Sequence, residues 1–541
     1  MIRKYIILFL SISVTGGIAR MLNVPSPGYT TIQSAIDSAL TGDTVLVQPG
    51  TYVENLRFKG KKITVGSLFL TTQDTSYTDQ TIIDSRNGSS NQGCVVQFID
   101  GEDENCVLIG FTITGGYRLS AGGGGIECFL NSSPTLSHLK ITGNIAGNGG
   151  GIFCSVNSNP LITNTRIYDN AAFSNGGGIY CTLNSSPLLI QTNIQDNVAN
   201  NFGGGLYFSD SCLAEMSDII VELNSTSYAG GGIYCSNSSD IVLKNSTIRN
   251  NTTDDLGGGL YFELSSPYLE RILITGNSAY NGGGIYCALQ ANPFMTNLTI
   301  SGNQATELIG ENYGGGGLYS WNSHPSLVNS ILWDDSKPQI YLQADPGDSS
   351  SIVITNSDIS GGADSVYAST GSDLFWLEGN FNSDPLFLNP LMDDYRLQIQ
   401  SPCRDAGIQG TIIVYNNSQD TLTIPLLTYL DAAPDLGASE TGLTAIVNNY
   451  SESSLGYRLE QNYPNPFNSG TNIRFSIPGA GRVIIEVYNL LGQKVKTLLD
   501  NYLAAGIHQV HTEPIDLATG VYLYQIKAGS YVQSRKMILL R

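Results

Sequence analysis

Residues 176–201 read GGGIYCTLNSSPLLIQTNIQDNVANN, and this pattern recurs along more than a third of the chain. Each copy begins with a glycine triplet followed by Ile or Leu. The steps between copies are 25 to 27 residues, except for a last step of 33. The apolar residues after the glycines are Ile126, Ile152, Ile179, Leu206, Ile233, Leu260, Ile285 and Leu318. A nearly constant step of this length predicts stacked repeats, each of which buries its apolar face only against its neighbours.

A second marker has the same period as the glycines. In each repeat an Ile or Val is followed three residues later by an asparagine. These asparagines are Asn144, Asn170, Asn197, Asn224, Asn251, Asn277 and Asn303. Asparagine tolerates the left-handed backbone of a tight bend, and stacked amides can bond from one repeat to the next. Short β-branched stretches between such bends, and between Asn-Ser-Ser-Pro turns, predict a parallel β-helix with one coil per repeat.

Composition and the N-terminus limit the class of protein. The chain has 541 residues, 61 glycines, 13% charged residues and a net charge of −20, which suits turn-rich β structure and excludes nucleic acid as a partner. Arg3 and Lys4 precede an apolar run, and small residues follow at 17–19. This pattern predicts a cleavable signal peptide over residues 1–19, and hence export.

The apolar end of a coil stack needs a cover. Residues 31–40 predict a helix that caps the N-terminal end. Its buried face would carry Ile32, Ala35, Ile36, Ala39 and Leu40.

Nine cysteines in an exported chain also permit disulfides. Five of them lie two residues after the repeating Ile, in a position that Phe208 and Phe262 fill in other repeats. They are Cys128, Cys154, Cys181, Cys235 and Cys287. Since this position accepts either Cys or Phe, we expect it to point inward and favour stacked free thiols.

Several segments of the chain resemble a known family. Residues 29–65, YTTIQSAIDSALTGDTVLVQPGTYVENLRFKGKKITV, resemble the start of pectin-lyase-like right-handed β-helix proteins. The GGGI and I-x-x-N repeats resemble those of polymorphic outer-membrane-protein-type β-helices. Residues 383–407 and 435–440 resemble the close of the same domain. The resemblance implies an all-β protein with a right-handed parallel β-helix over residues 20–440, and it fixes no activity.

The tail resembles a second family. After a polar linker at residues 441–457, residues 458–541 contain LEQNYPNPFNSGTNIRFSIP, VYNLLGQKV, LATGVYLYQIKAG and a terminal SRKMILLR. These motifs resemble the C-terminal sorting domain of type IX secretion cargo. The resemblance implies a small immunoglobulin-like β-sandwich and the type IX secretion machinery as a partner. It also implies a protein that is secreted or held at the outer-membrane cell surface.

An aromatic row is the most distinctive candidate site. The residue after the repeating Ile or Leu is aromatic in successive repeats, at Tyr180, Tyr207, Tyr234, Tyr261, Tyr286 and Tyr319. Because side chains alternate along a strand, these rings should point outward and form a stripe. Such a stripe could bind a glycan or a surface partner. Alternatively, the rings stack on one another and stabilise the sheet, or a loop covers them.

Asp169 and Asp196 occupy equivalent positions and could together bind a metal such as Ca²⁺. The same position holds Gly143 and Leu223 in other repeats, which favours a turn. No catalytic residue and no cofactor is assigned from the sequence. We expect a binding, adhesive or structural protein directed at glycans or surface partners. The alternatives are a polysaccharide lyase or related glycan-active enzyme, and a self-associating surface-layer protein.

Overall fold

The structure of the protein is a computed structural model. It describes residues 19–86, 93–119, 122–306, 314–416, 419–427, 429–430, 432–440, 458–459, 471–477, 481–489, 493–503, 506–512, 520–529 and 531–539. The predicted signal peptide, apart from Ala19, and the predicted linker at residues 441–457 lie outside the described residues. The chain divides into two compact units, Met1–Thr444 and Ala445–Arg541.

The first unit is the predicted right-handed parallel β-helix, built from three parallel sheets. Sheet A consists of Met21–Val24, Thr44–Val47, Gly50–Val53, Thr64–Ser67, Thr81–Asp84, Val107–Ile109, Thr112–Thr114, Thr135–Ser137, Lys140–Thr142, Leu161–Thr163, Arg166–Tyr168, Leu188–Ile190, Asn193–Gln195, Glu215–Ser217, Ile220–Glu222, Val242–Arg249, Tyr268–Thr275, Phe294–Thr296, Thr299–Ser301, Ser326–Val328, Ile331–Trp333, Ser350–Thr355, Asp358–Ile359 and Ser372–Trp376. Sheet B consists of Leu56–Arg57, Val96–Phe98, Ile126–Phe129, Ile152–Ser155, Ile179–Thr182, Leu206–Phe208, Ile233–Ser236, Leu260–Glu263, Ile285–Ala288, Leu318–Trp321, Ile340–Gln343 and Val366–Ala368. Sheet C consists of Tyr117–Arg118, Ile145–Asn148, Ala171–Asn175, Val198–Ala199, Ser225–Thr226, Thr252–Thr253, Ser278–Ala279 and Gln304–Ala305.

The coils stack in the predicted register. In sheet B, Ile152 pairs with Ile179, Ile179 with Leu206, and Leu206 with Ile233. Equivalent residues therefore form columns along the axis of the β-helix, with neighbouring strands about 4.8 Å apart. The period read from the sequence is confirmed.

The interior of the coils is a single apolar core, and all nine cysteines are free and buried. Cys128 pairs in register with Cys154, and Cys154 with Cys181, so the thiols stack in one column as predicted. Burial in this apolar column raises the pKa of the Cys128 and Cys181 thiols well above its ordinary value. Cys128 and Cys181 are therefore apolar core residues and not reactive thiolates.

A helix, Ile32–Ser38, caps the N-terminal end and buries Ile32, Ala35 and Ile36. Thr31 and Ser34 form a capping box, and the Glu54 carboxylate accepts the backbone N–H groups of Ile32 and Gln33. The helix ends before Ala39, whose backbone is extended. The prediction that Leu40 lies on the buried face is wrong: the chain leaves the helix before reaching it, and Leu40 is 65% exposed.

The repeating asparagines form a continuous ladder at the corner between sheets A and C. Each side-chain Nδ2 donates to the Oδ1 of the asparagine in the next coil at 2.9–3.0 Å, from Asn144 to Asn303. The same Oδ1 also accepts the backbone N–H of the preceding asparagine, as Asn197 does from Asn170 at 3.1 Å. All seven asparagines are buried. Their predicted stacking role is confirmed.

The Asn-Ser-Ser-Pro turns contain a second ladder. The first serine of each turn is buried, and its hydroxyl accepts the backbone N–H of the equivalent residue in the preceding coil. Ser132 donates to Ser158 at 3.2 Å, and Ser158 donates to Ser185 at 3.1 Å. The sequence explained these turns by local preference alone, whereas the structure adds bonds between coils.

The segment that closes this unit, described from Phe387 to Glu440 apart from the gaps given above, turns back along the outer face of sheet A. Asn329 Nδ2 donates to the Ile408 carbonyl at 2.8 Å, and Asn297 Nδ2 donates to the Asp435 carbonyl at 2.7 Å. Farther along, Glu440 lies 3.5 Å from the Arg271 guanidinium. The segment holds two hairpins, Phe387–Asn389 with Asp394–Leu397 and Thr411–Tyr415 with Asp420–Ile424. The short helices of this unit are Phe69–Thr72, Ser76–Gln80, Gly362–Ser365 and Pro390–Met392.

The second unit consists of two antiparallel sheets. One contains Arg458–Leu459, Thr471–Ile477 and Gly506–Thr512, and the other Lys494–Leu503, Gly481–Tyr488, Gly520–Ala528 and Tyr531–Leu539. Side chains from both sheets, including Phe475, Ile485 and Tyr524, share one core. The predicted β-sandwich is confirmed.

The asparagine ladder ends in a carboxyl group. Asp335 is buried, and its Oδ1 accepts the backbone N–H and the side-chain Nδ2 of Asn303 at 2.8 and 2.9 Å. Its Oδ2 has no hydrogen-bond partner among the described residues. Burial raises the pKa of Asp335 to about 7. The site therefore favours a protonated acid, or an amide in its place.

We predict that Asp335→Asn stabilises the β-helix at pH 8. Because the folded pKa lies above the unfolded value, wild-type stability falls as pH rises from about 4 to about 7. The gain should be on the order of 3 kcal/mol at pH 8 and should shrink towards pH 4. Thermal unfolding of both proteins across this pH range measures it. Asp169→Asn, which removes an exposed carboxylate at the same corner, is the control. A gain independent of pH would contradict the prediction.

Candidate functional site

The predicted aromatic row is a ladder of stacked rings on the outer face of sheet B. Tyr180 pairs with Tyr207, and Tyr207 with Tyr234, in register. Ring centroids of neighbours lie 4.6–5.2 Å apart from Tyr180 onwards. The ladder continues through Tyr341 and Tyr367. Sequence reasoning missed these two because their coils lack the glycine triplet, although each follows an Ile or Val.

The rings face outward, as alternation predicts, but most of them are buried. Tyr234, Tyr261, Tyr286 and Tyr319 are only 2–6% exposed. They cluster with Ala229, Phe202 and Leu256, which lie in a neighbouring column beside the ladder. A ligand therefore has no access to the faces of these four rings. Among the six predicted tyrosines, only Tyr180 and Tyr207 keep partly exposed rings.

The tyrosine hydroxyls bond to the next coil. Tyr180 and Tyr207 place their hydroxyls 3.3 and 3.2 Å from the hydroxyls of Ser209 and Ser236. Tyr234 donates to Glu263 Oε2 at 2.5 Å. Burial raises the pKa of Tyr207 to about 12. At neutral pH the Tyr207 phenol is therefore protonated and can offer a ring and a hydrogen bond.

The ladder breaks at one point, and an aromatic cluster forms there. Tyr207 and Tyr234 meet edge to face at 81°, whereas the next two tyrosine pairs are within 11° of parallel. Phe202 fills the break, with its centroid 4.9 Å from Tyr234, 6.2 Å from Tyr207 and 6.2 Å from Tyr228. Tyr228 is 55% exposed. We call Tyr180, Phe202, Tyr207 and Tyr228 the aromatic patch.

Phe202 and Tyr228 were not predicted. They lie in the variable segment before the glycines, where Asn175, Ala229 and Leu256 stand in the column of Phe202. In the sequence they are marked only by their place before a glycine triplet. Phe202 comes immediately before one triplet, and Tyr228 comes two residues before the next. Tyr313 and Tyr280 stand at the same two places before later glycine triplets, but the remaining triplets lack such an aromatic residue, so the signal does not follow the period.

The surroundings of the aromatic patch are acidic. Residues 167–243 contain seven Asp and Glu residues and no Lys or Arg. Asp210 lies beside the ladder, and its Oδ2 accepts hydrogen bonds from Thr182 at 2.8 Å and Ser209 at 3.1 Å. The patch therefore disfavours anionic ligands by charge repulsion.

Asp169 and Asp196 lie at a corner of the coil, both with φ of +53°. Asp169 is exposed, and Asp196 Oδ2 accepts a hydrogen bond from Gln195 at 3.0 Å. Every residue at this corner position adopts the left-handed conformation: Gly143, Asp169, Asp196, Leu223, Asn250, Gly276 and Gly302. The turn interpretation accounts for both aspartates, and their calcium-binding role stays a prediction. No group of three or more His, Cys, Asp or Glu side chains that could hold a metal occurs within the described ranges.

Comparisons with known proteins agree with this geometry. A family model for a right-handed β-helix region matches residues 67–224, 209–305 and 231–384, which together span more than half of the chain. The chain belongs to the right-handed β-helix family. A model for a secretion system C-terminal sorting domain matches residues 461–540.

Among solved structures, a pectin methylesterase from Yersinia enterocolitica is similar at 13% identity with a TM-score of 0.23, covering 65% of this chain and 95% of that chain. No curated protein matches the sequence. The sorting domain makes this β-helix protein a cargo of the type IX secretion system that is secreted or displayed at the cell surface. In the part of the chain that the structure describes, no helix has the length and hydropathy needed to cross a membrane.

We predict that Tyr261→Ala destabilises the β-helix by about 3 kcal/mol, because it removes a ring buried between two stacked neighbours. Tyr261 lies 4.6 Å from Tyr234 and 5.2 Å from Tyr286. Tyr367→Ala, which removes the 41% exposed ring at the ladder's end, should cost about 1 kcal/mol. Chemical unfolding of the three proteins measures both losses. Equal losses would show that stacking within the ladder is not the source of stability.

Proposed function

We propose that this exported β-helix protein binds an extended, neutral polysaccharide through the aromatic patch. The observation that carries the proposal is the cluster of Phe202 and Tyr228 against the partly exposed end of the tyrosine ladder. A sugar ring has an apolar face that stacks on such a surface. The phenol hydroxyls and nearby polar groups then take up its hydroxyls.

The rigid backing of the aromatic patch supports binding. Phe202 packs against Tyr234, which is itself held in the buried ladder. Next to Phe202, Asn201 Nδ2 donates to Ser174 Oγ at 3.1 Å, so polar groups at the border of the patch are also fixed. A surface fixed before binding loses little conformational entropy when the ligand arrives. Among the six predicted tyrosines, Tyr180 and Tyr207 are those assigned to direct contact, and the other four support them.

Charge selects among polysaccharides. The absence of Lys and Arg from residues 167–243, together with the seven carboxylates there, disfavours uronic-acid polymers. Neutral glucans, mannans and xylans carry no such penalty. Export through the sorting domain gives the protein access to polysaccharides outside the cell.

We predict that Tyr228→Ala weakens binding to neutral polysaccharide about fivefold, because it removes the most exposed ring of the patch. Affinity gel electrophoresis of the full chain in gels containing β-glucan, mannan, xylan or polygalacturonate measures this. Tyr367→Ala, an exposed ring at the opposite end of the same ladder, is the matched control and should bind as wild type does.

Three results would contradict the proposal. They are no retardation in any neutral gel, equal losses in the two variants, and retardation only by polygalacturonate. Release of unsaturated or reducing ends during incubation would favour the alternative of a polysaccharide lyase or other glycan-active enzyme.

A further inference from the structure

A column of strained residues runs along the turns that follow sheet B. One residue per coil adopts a left-handed backbone with φ of 50–57°, and these residues are Leu130, Val156, Leu183, Asp210, Asn237, Leu264 and Leu289. Leucine and valine are disfavoured in this conformation, whereas asparagine and glycine tolerate it. Leu264 is also 45% exposed, so burial does not explain why leucine occupies this position.

Leu264 lies in a groove. Two adjoining depressions of about 480 and 470 Å³ share Leu264 and Gln290 as lining residues. The groove is lined by residues that include Asn237, Asp240, Leu264, Gln290, Asn322 and Asp348. These come from five successive coils, so the groove runs parallel to the axis of the β-helix. It lies along the turns that follow sheet B, whereas Phe202 and Tyr228 of the aromatic patch lie on the other side of that sheet, next to the glycine triplets.

The lining chemistry fits a neutral sugar polymer. Amides, hydroxyls and carboxylates can bond sugar hydroxyls, and the exposed leucine can contact the apolar face of a sugar ring. No Lys or Arg lines either depression, which disfavours anionic ligands. Each coil advances the groove by about 4.8 Å, and one pyranose unit advances an extended polysaccharide by nearly the same distance.

Several lining side chains are held before any ligand binds. Asn322 Nδ2 donates to Asp345 Oδ2 at 3.1 Å, and Asn322 Oδ1 accepts the Asp345 backbone N–H at 2.9 Å. His324 Nδ1 lies 2.9 Å from the Ser351 hydroxyl. Asn237 Nδ2 donates to Asp210 Oδ1 at 3.1 Å. Such fixation lowers the entropic cost of binding.

We propose that this groove is a second site for a linear neutral polysaccharide, which lies parallel to the coil axis with about one sugar unit per coil. The inference rests on the proposed function, since it takes neutral glycan as the ligand. It adds the direction, the length and the register of the bound chain.

Calorimetric titration tests this with neutral β-1,4-linked gluco- and manno-oligosaccharides of two to eight units. The full chain carries Tyr228→Ala, which weakens binding at the aromatic patch about fivefold. We expect affinity to rise with length up to about five units and then to level off, because five coils line the groove. Adding Leu264→Asn should lower the affinity for the six-unit chain about fivefold. The melting temperature should stay equal or rise, since asparagine tolerates the left-handed backbone.

Leu183→Asn is the matched control. Leu183 has the same conformation in the same column and is 49% exposed, but it lies outside the groove. It should raise or keep the melting temperature and leave the affinity unchanged. A purely structural role for Leu264 would instead lower the melting temperature without a selective loss of binding.

The outcomes separate the two proposals. If the Tyr228→Ala protein binds none of the oligosaccharides while wild type still binds neutral polysaccharide, the groove is wrong and the proposed function stands. Equal affinity losses for Leu183→Asn and Leu264→Asn, no loss for either, or affinity that ignores chain length would also overturn the groove. If wild type binds no neutral glycan, both proposals fall.

Discussion

Strict register between coils is the constraint on which this structure depends. A buried amide or hydroxyl is costly unless it is hydrogen-bonded, and here such groups bond both within their own coil and to the coil beside it. The asparagine ladder does this from Asn144 to Asn303, with every side chain donating to the next. The serine ladder does the same inside the turns. A coil out of register by one residue would break the bonds that both ladders make between coils.

The same register shapes the outer surface. Equivalent positions become columns, so one aromatic residue per repeat becomes a stack whose members cover one another. Self-stacking and ligand binding then compete for the same ring faces. Between Tyr234 and Tyr341 self-stacking wins, and the rings form a second core outside the coils. Where Phe202 interrupts the stack, the faces turn and Tyr228 stays exposed, so a binding surface arises at an irregularity of the repeat.

Features with the period of the repeat could be predicted from the sequence. The glycine triplets, the asparagine corner and the inward cysteines each predicted a column of equivalent residues along the axis, and the structure confirms these columns. Leu40 was misplaced because the helix ends two residues earlier than its apolar pattern suggests. Stacking of the tyrosine rings was an alternative from the sequence, but which rings are buried could not be predicted, since this depends on the column of Phe202 and Leu256, whose residues vary between repeats. Asn297, Asn329 and Asn356 share one repeated corner position and bond the backbone of Asp435, Ile408 and Ala406, but the repeat alone does not show that the end of this unit returns to them.

Spin-label distances between column positions test the register most directly. Cysteines placed at the exposed Leu130 with Asn237, and at Leu130 with Leu264, lie four and five coils apart, while the nine native thiols are buried and stay unlabelled. Pulsed electron resonance should give narrow distributions near 19 and 24 Å, since each coil adds about 4.8 Å. Broad distance distributions would contradict in-register stacking. So would two mean distances that differ by anything other than about 4.8 Å, the rise of one coil.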